Sequence, residues 1–233
     1  MISRMGYKAV IFDLFGTLVY NTPSEESDNV LKQMASVVLA PSEHFVASWH
    51  GMLSERMTGI FKNYQDCIRH ICTNLNVSAD EEQIELAAKT RFEMTRNELT
   101  TIHEGAVDVL SHLRVRGYKT GLMSNCSFEA TSIWGETPLA PLIDVAVFSC
   151  LVGMTKPDRR IYGLVTEQLR VRPQDCLYVA DGIGQELATA TQVGMYAVQI
   201  LVPNENEHDP YREEWNGPII SALTEILEII GQP

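Results

Sequence analysis

Four polar groups stand where short apolar runs end or turn. Asp13 follows YKAVIF, Ser124 and Asn125 close YKTGLMSN, Asp181 closes CLYVAD, and Lys156 lies in MTKPDRRIY, downstream of DVAVFSC. In chain order these supply a nucleophile, a hydroxyl, a cation and a second carboxylate. Singly, each has a plainer role: an aspartate after a strand often caps a helix, and a loop lysine is often just solvated. Four such groups meeting at one edge of a sheet would form a reaction site.

The elements that must bring them together alternate along the chain. The runs before Asp13, Ser124 and Asp181, with DVAVFSC from Asp144 and YAVQIL from Tyr196, are short, apolar and β-branched. That is the pattern of parallel strands buried on both faces. Amphipathic stretches separate them. AVDVLSHLRVRG places Val107, Leu110 and Leu113 at helical spacing and ends at Gly117, and IYGLVTEQLRV is closed by Pro173. The alternation predicts an α/β fold with a Rossmann-like parallel sheet, whose ligands gather outside the carboxyl ends of the strands.

Residues 21–100 contain no convincing strand. They predict helices over SDNVLKQMASVVLA, EHFVASWHGMLSERM, YQDCIRHICTNL and ADEEQIELAAKTRFEM, with Pro41 and Gly59 as breaks and Asp80-Glu81-Glu82 at a helix N-terminus. The expected organisation is a core of residues 1–20 and 101–233 with an all-helical cap domain, residues 21–100, inserted after the first strand. PNENEHDPYREEWNGP is expected as a polar loop and ISALTEILEII as a closing helix.

Composition narrows the function classes. With 45% hydrophobic and 21% charged residues, the 233-residue chain can build a packed core, and general disorder is not indicated. Its 18 basic and 30 acidic residues give a net charge of -12, a field that repels nucleic acid and anionic membrane. The expected partner is a small molecule, and an anionic one needs cations or a metal to reverse the local potential. The five cysteines are odd in number and form no CxxC pair, which suggests neither a disulfide framework nor a zinc site. The N-terminus turns polar at Asp13 before a signal-peptide core could form, and no run approaches the ~18 apolar residues of a membrane span. A cytoplasmic protein, monomer or homodimer, is the expectation. His44 and His50 lack metal-site spacing, and His208 is expected to be solvated.

The chain resembles the haloacid dehalogenase-like superfamily through four motifs in order: IFDLFGTLV with Asp13 and Thr17, GLMSNCS with Ser124, MTKPDRRIY with Lys156, and YVADGIGQELATATQVGM with Asp181 and Glu186. The helical insertion falls where family members carry a cap. The resemblance implies a covalent intermediate on Asp13, so that hydrolysis divides into transfer to the enzyme and attack by water. It implies that Thr17, Ser124 and Lys156 hold the anionic oxygens of the substrate. In the family's phosphatases Mg²⁺ bridges nucleophile and phosphate, and the corresponding ligands here are Asp13, the backbone carbonyl of Phe15 and Asp181. Asn125 and Glu186 stand behind this set, Glu186 holding Lys156 or a metal-bound water.

Two residues pull in opposite directions. Family phosphatases carry a second aspartate two positions after the nucleophile as general acid and base. Phe15 can do neither, and losing positioned proton transfer costs on the order of 10²–10⁴ in rate. Dehalogenase members have an aromatic residue there, since a halide leaves unprotonated, and Tyr162 also matches a dehalogenase position or simply packs in the core. Asp181 argues for a metal, because two bare carboxylates side by side repel; dehalogenases keep uncharged side chains in that loop. The weight placed on Asp181 favours a Mg²⁺-dependent phosphatase acting on a small organic phosphate. A metal-independent 2-haloacid dehalogenase and a weakly active phospho-ligand-binding protein remain the alternatives. In the helical insertion, Arg56 and Lys62 are candidates for the distal part of the substrate and Trp49 for a pocket wall; each could equally be a solvated charge or a packing aromatic. Cys126 is expected as a small buried filler or a reactive thiol.

Overall fold

The computed structural model describes residues 6–202 and 211–231. Strand β1 (Ala9–Phe12) is followed by five helices: α1 (Ser24–Val37), α2 (Ser42–Gly51), α3 (Leu53–Met57), α4 (Tyr64–Asn74) and α5 (Glu81–Thr100). The chain then alternates through α6 (Ala106–Val115), β2 (Lys119–Ser124), α7 (Phe128–Trp134), β3 (Val145–Phe148), α8 (Ser149–Val152), α9 (Arg159–Leu169), β4 (Cys176–Ala180), α10 (Glu186–Gln192) and β5 (Tyr196–Ile200), and ends with β6 (Ile219–Ile220) and α11 (Ile226–Gly231).

All strand pairs are parallel and the sheet order is β3-β2-β1-β4-β5-β6, a Rossmann-like arrangement. The chain builds outward from β1 to β3, then crosses to the other side of β1 and builds outward again. The switch point therefore lies between β1 and β4, and Asp13 and Asp181 are the first residues after those two strands.

Alternation along the strands divides the core into two layers. Val10 and Phe12 face a cluster with Leu110, Ile133 and Ile226, while Ala9 and Ile11 face the opposite cluster with Ile161, Val165 and Leu187. Each fully buried side chain of this size contributes about 1.5–3 kcal/mol relative to exposure. The sheet edge carrying Asp13 is thus held on both faces.

Helices α1–α5 close a separate apolar cluster around Leu31, Phe45, Trp49, Ile68 and Ile71. Asn63 caps α4 by accepting from Asp66 N at 2.8 Å. Asp80 and Gln83 form a reciprocal capping box on α5, worth about 1 kcal/mol. Two chain passes join this block to the sheet. Tyr20 N donates to Thr101 O at 3.0 Å, His103 N to Leu18 O at 3.0 Å, and the Tyr20 and His103 rings stack 3.9 Å apart.

Several boundaries differ from expectation. Ile220 does not begin a helix: Leu201 N donates to Ile220 O at 2.9 Å, so β5 recruits the segment as an edge strand, and only Ile226–Gly231 is α-helical. Ser149 and Cys150 leave the strand and start α8. Val107 is exposed, and Val109 packs inward with Leu110 and Leu113 instead. His208 and the first half of the polar loop after Val202 fall outside the described residues. Among the described residues no helix is long and apolar enough to cross a membrane.

Candidate active site

At the switch point the polar strand ends converge. Lys156 Nζ forms an ion pair with Asp13 Oδ1 and a second with Glu186 Oε2 at 2.6 Å, all three side chains being buried. Glu186 is fully engaged. Its Oε2 also accepts from Tyr178 Oη at 2.6 Å, and its Oε1 from Gly182 N at 3.2 Å. Tyr162 Oη donates to the Glu186 carbonyl at 3.0 Å, which fixes the start of α10. Asn125 Oδ1 accepts from Lys156 N at 2.8 Å, and its Nδ2 donates to Lys156 O at 3.1 Å.

Carboxylate oxygens of Asp13, Asp181 and Glu186 lie within 4.8 Å of one another. One lysine faces three buried carboxylates, and the imbalance appears in their protonation. Burial lifts Asp13 to about 6, with Glu186 adding and Lys156 opposing. Burial, then the charges of Glu186 and Asp13, push Asp181 up to about 8. Burial alone would depress Lys156, but Asp13 and Glu186 outweigh it and hold the ammonium above its ordinary range. A divalent cation answers this surplus of negative charge. Both oxygens of Glu186 are taken, by Lys156 and Tyr178 on one side and Gly182 N on the other. Asp181 forms no ion pair among the described residues and Asp13 shares only Lys156 and a long Thr17 contact, so these two carboxylates are the ones that would hold it. In the turn after β1, Leu14 O accepts from Thr17, Leu18 and Val19, whereas Phe15 O accepts no backbone hydrogen bond among the described residues. Donor set and geometry fit a hard cation such as Mg²⁺. Gly16 is required at this approach: its φ is +74°, and a Cβ there would overlap Asp181 Oδ2 and the Asn21 amide.

Thr17 and Ser124 sit deeper than the sequence suggested. Both are fully buried and neither lines the cavity. Thr17 Oγ1 donates to Asp13 Oδ2 at 3.4 Å, so it steadies Asp13. Ser124 Oγ is buried without a hydrogen-bond partner among the described residues.

The cavity above Asp13 has a volume of ≈ 290 Å³ and is walled by both the sheet edge and the helical block. Phe15, Asn21, Cys126 and Ser127 come from the sheet side, and Tyr64, Arg91, Thr95 and Glu98 from α4 and α5. The sequence pointed instead to Arg56, Trp49 and Lys62, and here it is corrected. Arg56 is buried inside the block, its guanidinium 4.4 Å from the Trp49 ring centroid and bonded to the Trp49 carbonyl. Lys62 lies over Phe128 at 4.6 Å. The packing of α2 and α3 turns Trp49 and Arg56 into the helical block, and Lys62 lies in the connection between α3 and α4. Arg91, Thr95 and Glu98 are spaced i, i+4, i+7, one helical face, which a sequence reading could have marked as a stripe. Cys126 lines the cavity, and its thiol is pushed well above its ordinary range, chiefly by a hydrogen bond with Cys150 and then by burial, so it is not poised as a thiolate.

Two further residues gave no sequence signal. Tyr178 sits mid-strand and looks like core. Glu213 returns from a distant loop to accept from Leu187 N at 2.7 Å and Ala188 N at 3.0 Å, while Glu213 N donates to Gly182 O at 2.9 Å. It caps α10 and ties down the Asp181 loop.

Against known families, residues 7–194 match the model of the haloacid dehalogenase-like hydrolases. The chain belongs to this family. A Mycobacterium tuberculosis phosphatase is 28% identical over 233 residues, covering 97% of this chain and 100% of the relative. An (S)-2-haloacid dehalogenase of Pseudomonas fluorescens is 25% identical, covering 74% of this chain and 75% of the relative. Among solved structures, a HAD family enzyme of Bacteroides thetaiotaomicron in complex with magnesium and inorganic phosphate superposes with a TM-score of 0.65 at 19% identity, covering 91% of this chain and 98% of its own. That likeness establishes the shared fold.

Proposed function

We propose that this hydrolase is a phosphatase that cleaves a small organic phosphate monoester through an aspartyl-phosphate on Asp13. The observation that carries the proposal is Asp181, a buried carboxylate beside Asp13 that forms no ion pair among the described residues. A Mg²⁺ ion held by Asp13, Asp181 and the Phe15 carbonyl would screen the charge of the phosphate as it approaches the nucleophile. The phosphatase relative, which this chain matches over nearly its whole length, supports the same reading.

The remaining chemistry belongs to the chain. Lys156 keeps Asp13 ionised and offers a positive charge to the phosphoryl oxygens. Asp13 attacks phosphorus, the Oδ–P bond forms and the bond to the leaving oxygen breaks. Water then attacks phosphorus, releasing inorganic phosphate and restoring the carboxylate. Ser124, buried behind the cavity, would reach a phosphoryl oxygen only if the turn after β1 relaxed around substrate. Helices α1–α5 act as a cap that keeps bulk water from the cavity, whose volume sits at the small end of ligand pockets.

A metal-independent 2-haloacid dehalogenase is the second reading, favoured by Phe15, whose ring lines the cavity where a phosphatase acid would stand. Turnover of phosphate esters and of 2-haloacids, each with and without Mg²⁺, separates the two. The expected result is Mg²⁺-dependent phosphate release that Asp13→Asn abolishes in a folded protein. Metal-independent halide release, with no phosphate release, would reverse the assignment.

A further inference from the structure

Two cations line the cavity, Lys156 and Arg91. Lys156 is committed to Asp13 and Glu186. Arg91 is half-buried on α5, its Nε is buried without a hydrogen-bond partner among the described residues, and its one recorded bond runs to the thioether of Met94, a weak acceptor. No ion pair of Arg91 with a carboxylate is found among the described residues, although Glu129, itself partly buried, lies close enough to feel its charge. A guanidinium facing a cavity with most of its five donors unspent is built to meet an anion.

The surroundings say which kind. Tyr64 Oη shares hydrogen bonds with Thr95 Oγ1 at 2.8 Å and Ser127 Oγ at 3.0 Å, so the wall beside Arg91 is a row of hydroxyls spanning helical block and core. Glu98 continues the same face of α5, roughly 10 Å along the helix from Arg91, and also lines the cavity. A second phosphate would need more than one cation beside Arg91, and among the described residues the cavity lining offers only Arg91 there, with a carboxylate, Glu98, further along the same helix face. One carboxylate matches one guanidinium in charge and in its two-pronged geometry, and hydroxyls in between match Thr95, Ser127 and Glu98. We infer that Arg91 is a carboxylate subsite and that the substrates are small phosphorylated hydroxy acids, with phosphate at Asp13 and carboxylate at Arg91. This rests on the phosphatase reading and specifies its substrate class.

Matched pairs that differ only in the distal group test it: 3-phosphoglycerate against glycerol 3-phosphate, and 4-phosphoerythronate against erythritol 4-phosphate. The wild type should favour the acid of at least one pair in kcat/KM, and Arg91→Met should lower that preference by about 10- to 100-fold, mainly through KM, with Arg91→Lys between them. The rise in Tm that the acid induces, measured with Mg²⁺ but independent of turnover, should shrink in Arg91→Met. A wild type that treats acid and alcohol alike, or an Arg91→Met protein that keeps both the preference and the Tm rise, would overturn the proposal and leave Arg91 to Glu129. Failure to hydrolyse even phenyl phosphate with Mg²⁺ would instead sink the phosphatase reading, and the Tm comparison would still decide whether Arg91 holds a carboxylate.

Discussion

Asn125 grips Lys156 by its main chain, accepting from the amide at 2.8 Å and donating to the carbonyl at 3.1 Å, so the loop carrying the ammonium is tied to the end of β2. The ammonium in turn reaches Asp13 and Glu186. Lys156 thus acts at Asp13 only as accurately as Asn125 places its backbone.

Asn125→Ala should therefore lower kcat by about 10- to 100-fold, comparable to the loss when a partner that orients a reactive group is removed. Asn125→Asp keeps the acceptor for Lys156 N but removes the donor, and should fall between. Steady-state kinetics on any accepted substrate reads both. Wild-type kcat in the alanine variant would show that the loop holds itself.

Asp181 sets function against stability. In the metal-free protein its carboxyl is crowded by Glu186 and Asp13, so Asp181→Asn should raise metal-free stability by about 1–2 kcal/mol, roughly 2–8 °C in Tm. The same change should remove the Tm rise that Mg²⁺ gives the wild type by mass action. An Asp181→Asn protein that is less stable without metal, yet still stabilised by it, contradicts the charge argument on both counts.

Phe15→Asp should change the pattern of rates more than their sum. Without a carboxylate at this position, leaving groups depart unaided, so aryl phosphates should outpace alkyl phosphates strongly. The introduced acid should raise the alkyl rate by about 10²-fold or more and the aryl rate much less. Tm must be followed in parallel, since Phe15 packs against the core cluster. An unchanged alkyl-to-aryl ratio in a folded variant means another group already delivers the proton.

His103 makes stability fall on the acid side. Burial between the two chain passes holds its imidazole down at about 4, against about 6.5 in an unfolded chain. The folded state thus favours the neutral ring: its contribution is fully present above pH 6.5 and is lost as pH falls toward 4, where the unfolded chain binds the proton first. The loss should be on the order of 2–3 kcal/mol by pH 4. His103→Gln should flatten the difference in chemical stability between pH 7 and pH 4.5. Parallel pH curves for wild type and variant would mean that the ring does not titrate as its burial requires.

The sequence alone determined the strand-end chemistry. A strand buried on both faces is apolar along most of its length, so Asp13 and Asp181 announce themselves as the first polar residues after such runs, Ser124 as the polar last residue of β2, and Lys156 in a later loop. The capping box at Asp80 is equally local, needing only residues three apart. What only the tertiary structure decided is who meets across space. The switch in strand order puts Asp181 beside Asp13 although 168 positions of chain separate them. Tyr178 resembles any core aromatic until α10 lays Glu186 against it, and Glu213 in a polar loop becomes the cap of that helix. Arg56 and Arg91 are alike as sequence, both arginines on amphipathic helices. One is folded onto Trp49 and the other faces the cavity, because helix rotation is set by how apolar faces pack against neighbours, and no local pattern encodes those neighbours.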